Sequence, residues 1–442
     1  MTESISQGAP AMPSLRQATA YWFKLGCVSF GGPAGQIAMM HRELVEQRRW
    51  ISERRFLHAL NYCMVLPGPE AQQLATYIGW LMHGRWGGIV AGGLFVLPSF
   101  FVLAGLSWLY MTLGPAVTTQ ALQGVKPAVV AIISFAVWRI GKKVLDRVEL
   151  WAITVGAFAA ILVLGLPYPL IVVVAAAIGW LLRKRLGLRK DEAHKHQQEH
   201  LPALIDDHTP SPEHAALSRT AAAGVLLCGL SIWAAALFFV RALDPLLAQM
   251  ARFFTQAALL TFGGAYAVMP YVFQGAVEQY HWLSTPQMLD GLALGETTPG
   301  PLIMVVAFIG FIGGWTQSAY AGAAGGLLGS AVVTFFTFLP SFVFILAGGP
   351  LVEHMRGGFG LDGPLRAVTA AVVGAMLYLA VFLAGHMFWP RGLAAGVDAW
   401  SILLAACAWW VLYREKLGMI AVILICGLLG WIGPLLRGLW TI

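Results

Sequence analysis

Long apolar stretches alternate with short charged loops along this chain, and they form two similar series. The first series lies at residues 15–40, 56–83, 86–113, 117–140, 149–166 and 168–183. The second lies at residues 248–270, 286–313, 318–347, 365–388, 398–413 and 417–436. One further apolar segment, 219–240, lies between them. Apolar runs of this length are typical of transmembrane helices, so the pattern predicts an all-α polytopic membrane protein.

The stretch from Arg183 to Ser218 is different, because it is charged, rich in His and Pro, and contains no apolar run. This composition indicates a solvated linker. We therefore predict a first repeat at 1–183, a cytoplasmic linker at 184–218, a linking transmembrane helix at 219–244 and a second repeat at 245–442. His-rich tracts can bind metal, but the linker histidines show no fixed ligand spacing, so we expect no metal site. These histidines are His194, His196, His200, His208 and His214.

Three short motifs of the first half recur in the second half 232 residues later. Phe30-Gly31-Gly32 recurs as Phe262-Gly263-Gly264, Trp50-Ile51-Ser52 as Trp282-Leu283-Ser284, and Pro67-Gly68-Pro69 as Pro299-Gly300-Pro301. Leu97-Pro98-Ser99-Phe100 also recurs, as Leu339-Pro340-Ser341-Phe342. If each half crosses the membrane an even number of times, the single linking helix inverts the second half. Inverted repeats with broken helices are a common transporter architecture.

The distribution of basic residues also favours an inverted second half. Three first-half loops are rich in Arg and Lys. The second-half equivalent of the first of these loops, residues 271–285, contains neither. The positive-inside rule places all three basic loops in the cytoplasm, provided that segments 15–40 and 56–83 are re-entrant hairpins. The alternative is that each break only kinks a spanning helix. The choice decides whether the chain crosses the membrane about nine or about thirteen times.

The repeated Gly and Pro residues lie inside apolar segments, where they interrupt helical hydrogen bonding. Pro33, Pro69 and Pro301 are placed to begin new helical arms, and helix beginnings bind anions. We predict that four breaks converge into an anion cradle. Lys126, deep in its segment, is either a countercharge for the substrate or part of a structural ion pair. The candidate substrate-binding residues are Ser29, Phe30, Gly31, Gly32, Pro33, Pro67, Gly68, Pro69, Gln72, Lys126, Phe262, Gly263, Gly264, Thr298, Pro299, Gly300 and Pro301.

Two carboxylates flank the Pro-Gly-Pro motifs. Glu70 follows the first motif, and Glu296 precedes the second. Ionisable residues inside a membrane mark ion pathways and proton relays, so both are candidates for proton coupling. The alternative is that a local Lys or Arg neutralises each of them.

Composition narrows the class of protein. The chain is 58% hydrophobic and only 11% charged, whereas soluble domains carry about 25% charged residues. The net charge of +7 lies largely in short loops, which indicates control of topology rather than nucleic-acid binding. The polar N-terminus does not resemble a cleaved signal peptide, so we expect the first apolar stretch to be retained. The five cysteines form no CxxC motif, and no nucleotide-binding or catalytic motif is present, so we expect neither a cofactor nor enzymatic activity.

With these residues the chain resembles the chromate ion transporter family (ChrA-like proteins) of the long, two-domain type. The resemblance is carried by Phe30-Gly31-Gly32-Pro33, Pro67-Gly68-Pro69 with Gln72, Leu97-Pro98-Ser99 and Gly124-Val125-Lys126-Pro127, together with the second-half repeats. It implies chromate efflux across the bacterial inner membrane, chromate resistance and two halves of opposite orientation, with sulfate as a related oxyanion. The second half has Thr369 and Met304 in place of Lys126 and Gln72, so the halves are not expected to contribute equally.

We therefore predict a multi-pass secondary transporter of the inner membrane that exports chromate. The expected partners are chromate and the lipid bilayer, and sulfate is a second candidate substrate. The protein is also a candidate homodimer. One rival is a transporter of sulfate or another oxyanion. Another is a passive anion channel, and a third is a membrane-embedded enzyme such as a chromate reductase.

Overall fold

A computed structural model describes residues 12–30, 32–114, 122–186, 203–206, 209, 212–215, 218–262, 264–354, 362–389, 396–414 and 417–440. These residues form helices joined by short connections, with one isolated β-bridge between Ile51 and Ile205. Within these ranges, four helices are long and apolar enough to cross a membrane: Glu70–Leu113, Arg219–Leu243, Ala323–Leu351 and Gly363–Phe388. The predicted all-α polytopic class is confirmed.

The helices occur in the same order in both halves, as the repeated motifs predict. The first half contains α1 (Leu15–Val28), α2 (Gly32–His41), α3 (Glu53–Val65), α4 (Glu70–Leu113), α5 (Val125–Val144), α6 (Val148–Leu164) and α7 (Tyr168–Leu181). The linking helix is α8 (Arg219–Leu243). The second half contains α9 (Pro245–Leu259), α10 (Ala265–Phe273), α11 (Thr285–Thr297), α12 (Val305–Gln317), α13 (Ala323–His354), α14 (Asp362–Phe388), α15 (Ala399–Tyr413) and α16 (Met419–Trp440).

Each Pro-Gly-Pro segment is a hairpin, which resolves the choice that the sequence left open. The rings of Tyr62 on α3 and Tyr77 on α4 have centroids 6.1 Å apart, whereas one continuous helix would separate these residues by about 22 Å. In the second half, a Cβ on Gly291 of α11 would lie 2.5 Å from the Phe308 ring of α12. We call residues 53–82 hairpin B and residues 285–317 hairpin D.

The Phe-Gly-Gly segments form hairpins in the same way. The rings of Tyr21 and Trp50 have centroids 5.4 Å apart, although a continuous helix would place these residues about 44 Å apart. Phe253 on α9 stacks on Tyr271 on α10 with a centroid distance of 4.8 Å. We call residues 15–47 hairpin A and residues 245–279 hairpin C. Each of the predicted segments 15–40, 56–83, 248–270 and 286–313 is thus divided between two helices, because Gly and Pro break the helical ladder.

The two halves also repeat in backbone detail. The π-helical turns Arg42–Gln47 and Gln274–Gln279 end hairpins A and C. Each is followed by a non-glycine residue with positive φ, Arg49 at 51° and His281 at 53°. These pairs have the 232-residue spacing of the motifs. The duplication in the sequence therefore corresponds to a duplication of local structure.

The long helices of the two halves run antiparallel where they meet. Helix α4 reverses at His83 and Gly84, whose backbone angles are not helical, and its second arm packs on α13. A Cβ on Gly88 would lie 3.2 Å from Leu346, and one on Gly92 would lie 2.6 Å from Phe342. One turn forward along α4 thus corresponds to one turn backward along α13.

Part of the linker packs on the first half, so the prediction of a solvated linker is wrong for these residues. The backbone amide of Ile205 donates to the Trp50 carbonyl at 3.1 Å, and the Ser52 amide donates to the Ile205 carbonyl at 2.9 Å. Ile205 is buried, and His214 Nε2 lies 2.9 Å from the Trp80 carbonyl. The apolar residues around Ile205 form a run of only five, 201–205, which is too short for a periodic signal. Ile205 nevertheless pairs with an extended turn of the first half. His194, His196, His200 and His208 lie outside the described residues.

Candidate substrate site

The tips of the four hairpins meet through two equivalent hydrogen bonds. The Gly68 amide of hairpin B donates to the Thr261 carbonyl of hairpin C at 2.8 Å, and the Gly300 amide of hairpin D donates to the Ser29 carbonyl of hairpin A at 2.8 Å. The donors are repeat-equivalent to each other, and so are the acceptors. Each Pro-Gly-Pro tip therefore joins the Phe-Gly-Gly tip of the opposite half. We call this meeting point the junction.

Only glycine fits at the two Pro-Gly-Pro tips. Gly68 and Gly300 have φ values of 133° and 104°, which side chains disfavour. A Cβ on Gly300 would lie 2.5 Å from Ser99 Cβ, and one on Gly68 would overlap Ser341 Oγ. Ser99 and Ser341 belong to the repeated Leu-Pro-Ser-Phe motif, which the sequence singled out without a role. The long helices thus form walls of the junction.

Two glutamines that the sequence did not single out hold the junction together. Gln36 Nε2 donates to the Gly300 carbonyl at 2.5 Å and to the Ser29 carbonyl at 3.3 Å. Gln73 Nε2 donates to the Pro67 carbonyl at 2.8 Å. Their repeat equivalents are Val268 and Val305, so both amides come from the first half. The sequence could have indicated both residues, because each is a polar residue within one or two helical turns of a repeated break.

Three of the helical segments that begin at the junction lack side-chain caps, unlike their partners in the same hairpins. Side chains of Ser14, Ser52, Asp244 and Ser284 cap the outer beginnings of α1, α3, α9 and α11. At the junction, α4 follows Pro69, α10 follows Gly264, and the 3₁₀ turn Leu302–Met304 follows Pro301, none with a side-chain cap. First-turn amides have no partner within their own helix and carry partial positive charge. Such helix beginnings suit an anion.

Several fully buried polar atoms near the tips have no hydrogen-bond partner among the described residues. They are Oγ of Ser29 and Ser99 and Oε1 of Gln36, Gln72 and Gln73. All five residues are 0% exposed. Because an unsatisfied buried polar group costs about 1–3 kcal/mol, such a cluster indicates a position for a ligand or water.

The two carboxylates lie next to the tips of the hairpins. Glu296 Oε1 accepts a hydrogen bond of 2.8 Å from Tyr266 of hairpin C. Glu70 Oε1 lies 3.8 Å from the position that a Cβ on Gly264 would take. Within the described part of the chain, neither carboxylate forms an ion pair with Lys or Arg. Lys143 of α5 is nevertheless close enough to act electrostatically on Glu70, so local neutralisation stays an alternative for Glu70.

Lys126 forms an ion pair that joins the two halves. Its Nζ lies 2.8 Å from Asp290 Oδ1 on α11, and the Tyr110 hydroxyl donates to Asp290 Oδ2 at 2.9 Å. The Lys126 and Asp290 side chains are 9% and 1% exposed. The sequence left open a countercharge or an ion pair, and the structure contains the pair. A contact between Lys126 and substrate stays a prediction.

The other predicted residues lie at or beside the tips. Pro33 is the second residue of α2, and Thr298 uses its hydroxyl to donate to the Gly295 carbonyl at 3.1 Å. Phe262 packs against a core cluster that includes residues of α6, α7 and α14. Gly31 and Gly263 lie outside the described residues. Phe30, Pro67 and Pro299 lie in the connections between hairpin arms, and Gly32 is the first residue of α2.

The comparison with known proteins agrees with the duplicated organisation. A family model described as "Chromate transporter" matches residues 16–180 and 248–431. The chain is 34% identical to a chromate transport protein of Pseudomonas aeruginosa, covering 98% of this chain and 95% of that protein. It is 30% identical to a chromate transport protein of Cupriavidus metallidurans, covering 84% and 83% of the two chains. A probable chromate transport protein of Synechococcus elongatus is also 30% identical, over 88% of this chain and 91% of that protein. No solved structure gives a significant match.

Proposed function

This chain belongs to the chromate transporter family, and from that premise we propose that it exports chromate as a secondary transporter of the bacterial inner membrane. The family consists of membrane transporters, so the chain is a multi-pass transporter and not an enzyme. The observation that carries the proposal is the junction, where uncapped helix beginnings from both halves meet beside the buried, unpaired hydroxyls of Ser29 and Ser99.

The chemistry of the junction suits a tetrahedral oxyanion. Backbone amides and hydroxyls offer directed donors without full positive charges, so they can hold an anion and still release it. A membrane potential that is negative inside drives each charge of the anion outward by about 2.3 kcal/mol per 100 mV. Sulfate has the same shape and charge as chromate, and we propose it as a competing ligand of the same donors.

We further propose that the second half is inverted relative to the first. The antiparallel contact between α4 and α13, which are repeat-equivalent, supports this arrangement. It is also supported by the basic loops of the first half and by the absence of Lys and Arg from residues 271–285. Rocking one pair of hairpins against the other would then expose the junction to each side in turn.

Single cysteines at positions 47 and 279 are expected to react from opposite sides of the membrane. Gln47 and Gln279 are repeat-equivalent, and both are exposed at the ends of π-helical turns. In a background without the five native cysteines, Q47C should react with a membrane-impermeant thiol reagent only in everted vesicles. Q279C should react only in right-side-out spheroplasts. Reaction of both from one side would contradict the inversion.

Everted inner-membrane vesicles that contain the protein are expected to accumulate labelled chromate when the interior is made positive. Uptake should saturate, and excess sulfate should reduce it if the two anions share the donors of the junction. Vesicles without the protein provide the control. Absence of uptake with the protein present in the membrane would contradict chromate export. Uptake that does not saturate would instead indicate a channel.

A further inference from the structure

A cavity with several polar side chains in its walls lies away from the junction, at the end of the molecule where α11 begins. Its volume is about 430 Å³, and its walls include Lys126, Thr285, His386, Asp398, Trp400 and Ser401. At about 30 Å³ per water molecule, it has room for a hydrated oxyanion. Residues of both halves line it, because Lys126 belongs to α5 whereas the other residues named belong to the second half.

The cavity offers hydrogen-bond donors that lack partners. Trp400 Nε1 is buried and has no hydrogen-bond partner among the described residues. His386 donates its Nδ1–H to the Phe382 carbonyl at 3.0 Å, so its Nε2 donates to an anion only in the imidazolium form. The carboxylate in the wall, Asp398, accepts a hydrogen bond of 2.7 Å from Ser401, which reduces its repulsion of an anion. An indole N–H and an ammonium, together with the imidazolium form of His386, suit an anion.

The Lys126–Asp290 pair lies between this cavity and the junction. Along α11, Thr285 is in the cavity wall, Asp290 follows five residues later, and Glu296 reaches the junction after six more. These steps correspond to about 8 Å and 9 Å. Lys126 itself lines the cavity while it pairs with Asp290. Along α11, the pair therefore lies between the cavity and the junction.

We propose that the cavity is a second oxyanion site, in which Lys126 exchanges Asp290 for a divalent tetrahedral anion. This inference rests on the proposed function. A buried ammonium without a negative partner is costly, so the incoming anion takes over the neutralising role of Asp290. Asp290 keeps the hydrogen bond from Tyr110 during the exchange. On the inverted topology, the cavity opens at the outer face and holds the anion before release.

The opposite end of the molecule contains a similar cluster, which supplies a matched control. Arg55 Nη1 lies 2.8 Å from Glu353 Oε2, and the Tyr77 hydroxyl donates to Glu353 Oε1 at 2.5 Å. Arg55 Nη2 also donates to the Thr209 carbonyl of the linker at 2.8 Å. E353Q removes a buried carboxylate from a cation and a tyrosine, as D290N does, but it leaves Lys126 paired.

The decisive experiment measures binding of chromate and sulfate to the purified full-length protein by calorimetry at constant ionic strength. D290N removes the competitor for Lys126 and is expected to bind either anion at least about 10-fold more tightly than the wild type. E353Q should bind as the wild type does, and K126Q/D290N should lose the gain. Unchanged affinity of D290N, or an equal gain in E353Q, would overturn the proposal.

A second variant keeps the proposal testable if D290N does not fold. W400F removes the unpaired indole donor but keeps an aromatic ring, and it should weaken binding about 3–10-fold. W410F, at an exposed position on the same helix, is the control and should have no effect. Equal affinities of W400F and W410F would contradict the site. Vesicle uptake by the wild type tests the proposed function separately, since a cavity that binds sulfate without any chromate transport would refute only that function.

Discussion

Replacing Gly68 or Gly300 with alanine is expected to abolish chromate transport. Both residues have φ values that disfavour a side chain, and in both cases a Cβ would collide with a serine of a long helix. The backbone strain and the overpacking each cost about 1–3 kcal/mol. They displace the amide that joins the two halves, so the uncapped helix beginnings lose their alignment. Initial uptake into everted vesicles should fall at least about 10-fold.

The control and the rescue follow from the geometry at each glycine. G93A is the control, because a Cβ on Gly93 of α4 would meet nothing within 4 Å, and this variant should transport normally. At Gly68 a Cβ would collide with Ser341 Oγ and lie 2.5 Å from Gln73 Nε2, so G68A/S341A removes one of the two clashes and should recover part of the activity. At Gly300 the colliding atom is Ser99 Cβ, which alanine retains, so G300A/S99A should stay inactive. Normal transport by G68A and G300A would show that the Pro-Gly-Pro tips are not part of the substrate site.

Substituting Glu296 with glutamine is expected to uncouple transport from a pH gradient. Glu296 is 5% exposed and accepts a hydrogen bond from Tyr266, but it has no ion-pair partner in the described part of the chain. A buried carboxylate without a cation is costly when charged, so such a group suits the uptake and release of a proton. Glutamine can keep the contact with Tyr266 but cannot carry the proton. Uptake driven by a pH gradient should fall at least about 10-fold.

Three further variants test whether the effect is specific to the buried carboxylates. E70Q tests the carboxylate beside Gly264, and E70Q/E296Q removes both groups. E278Q is the control, because Glu278 is exposed at the end of hairpin C. Vesicles should be compared under an imposed pH gradient and under an imposed potential at constant pH. If E70Q/E296Q responds to the pH gradient as the wild type does, proton coupling does not use these residues.

The sequence by itself determined the class of protein, the duplication and the location of the breaks. Apolar runs fix the transmembrane class because lipid offers no partner for polar backbone groups. Gly and Pro at Gly68, Pro69, Gly300 and Pro301 fix the breaks because they act on the backbone locally. Repetition of these motifs at constant spacing indicated that the breaks have a common role. These inferences depend only on properties of residues and of their neighbours along the chain.

Only the tertiary structure decided that the breaks are hairpin tips and which tips meet. The contact between Tyr62 and Tyr77 depends on the direction of two helices, which local propensity does not specify. The amides of Gln36 and Gln73 act on carbonyls that the fold brings close, and their repeat equivalents are valines, so the repeat gave no signal. Asp290 became the partner of Lys126 because α11 packs on α5 from the other half. Such pairings depend on packing between distant segments, and a single sequence does not record that packing.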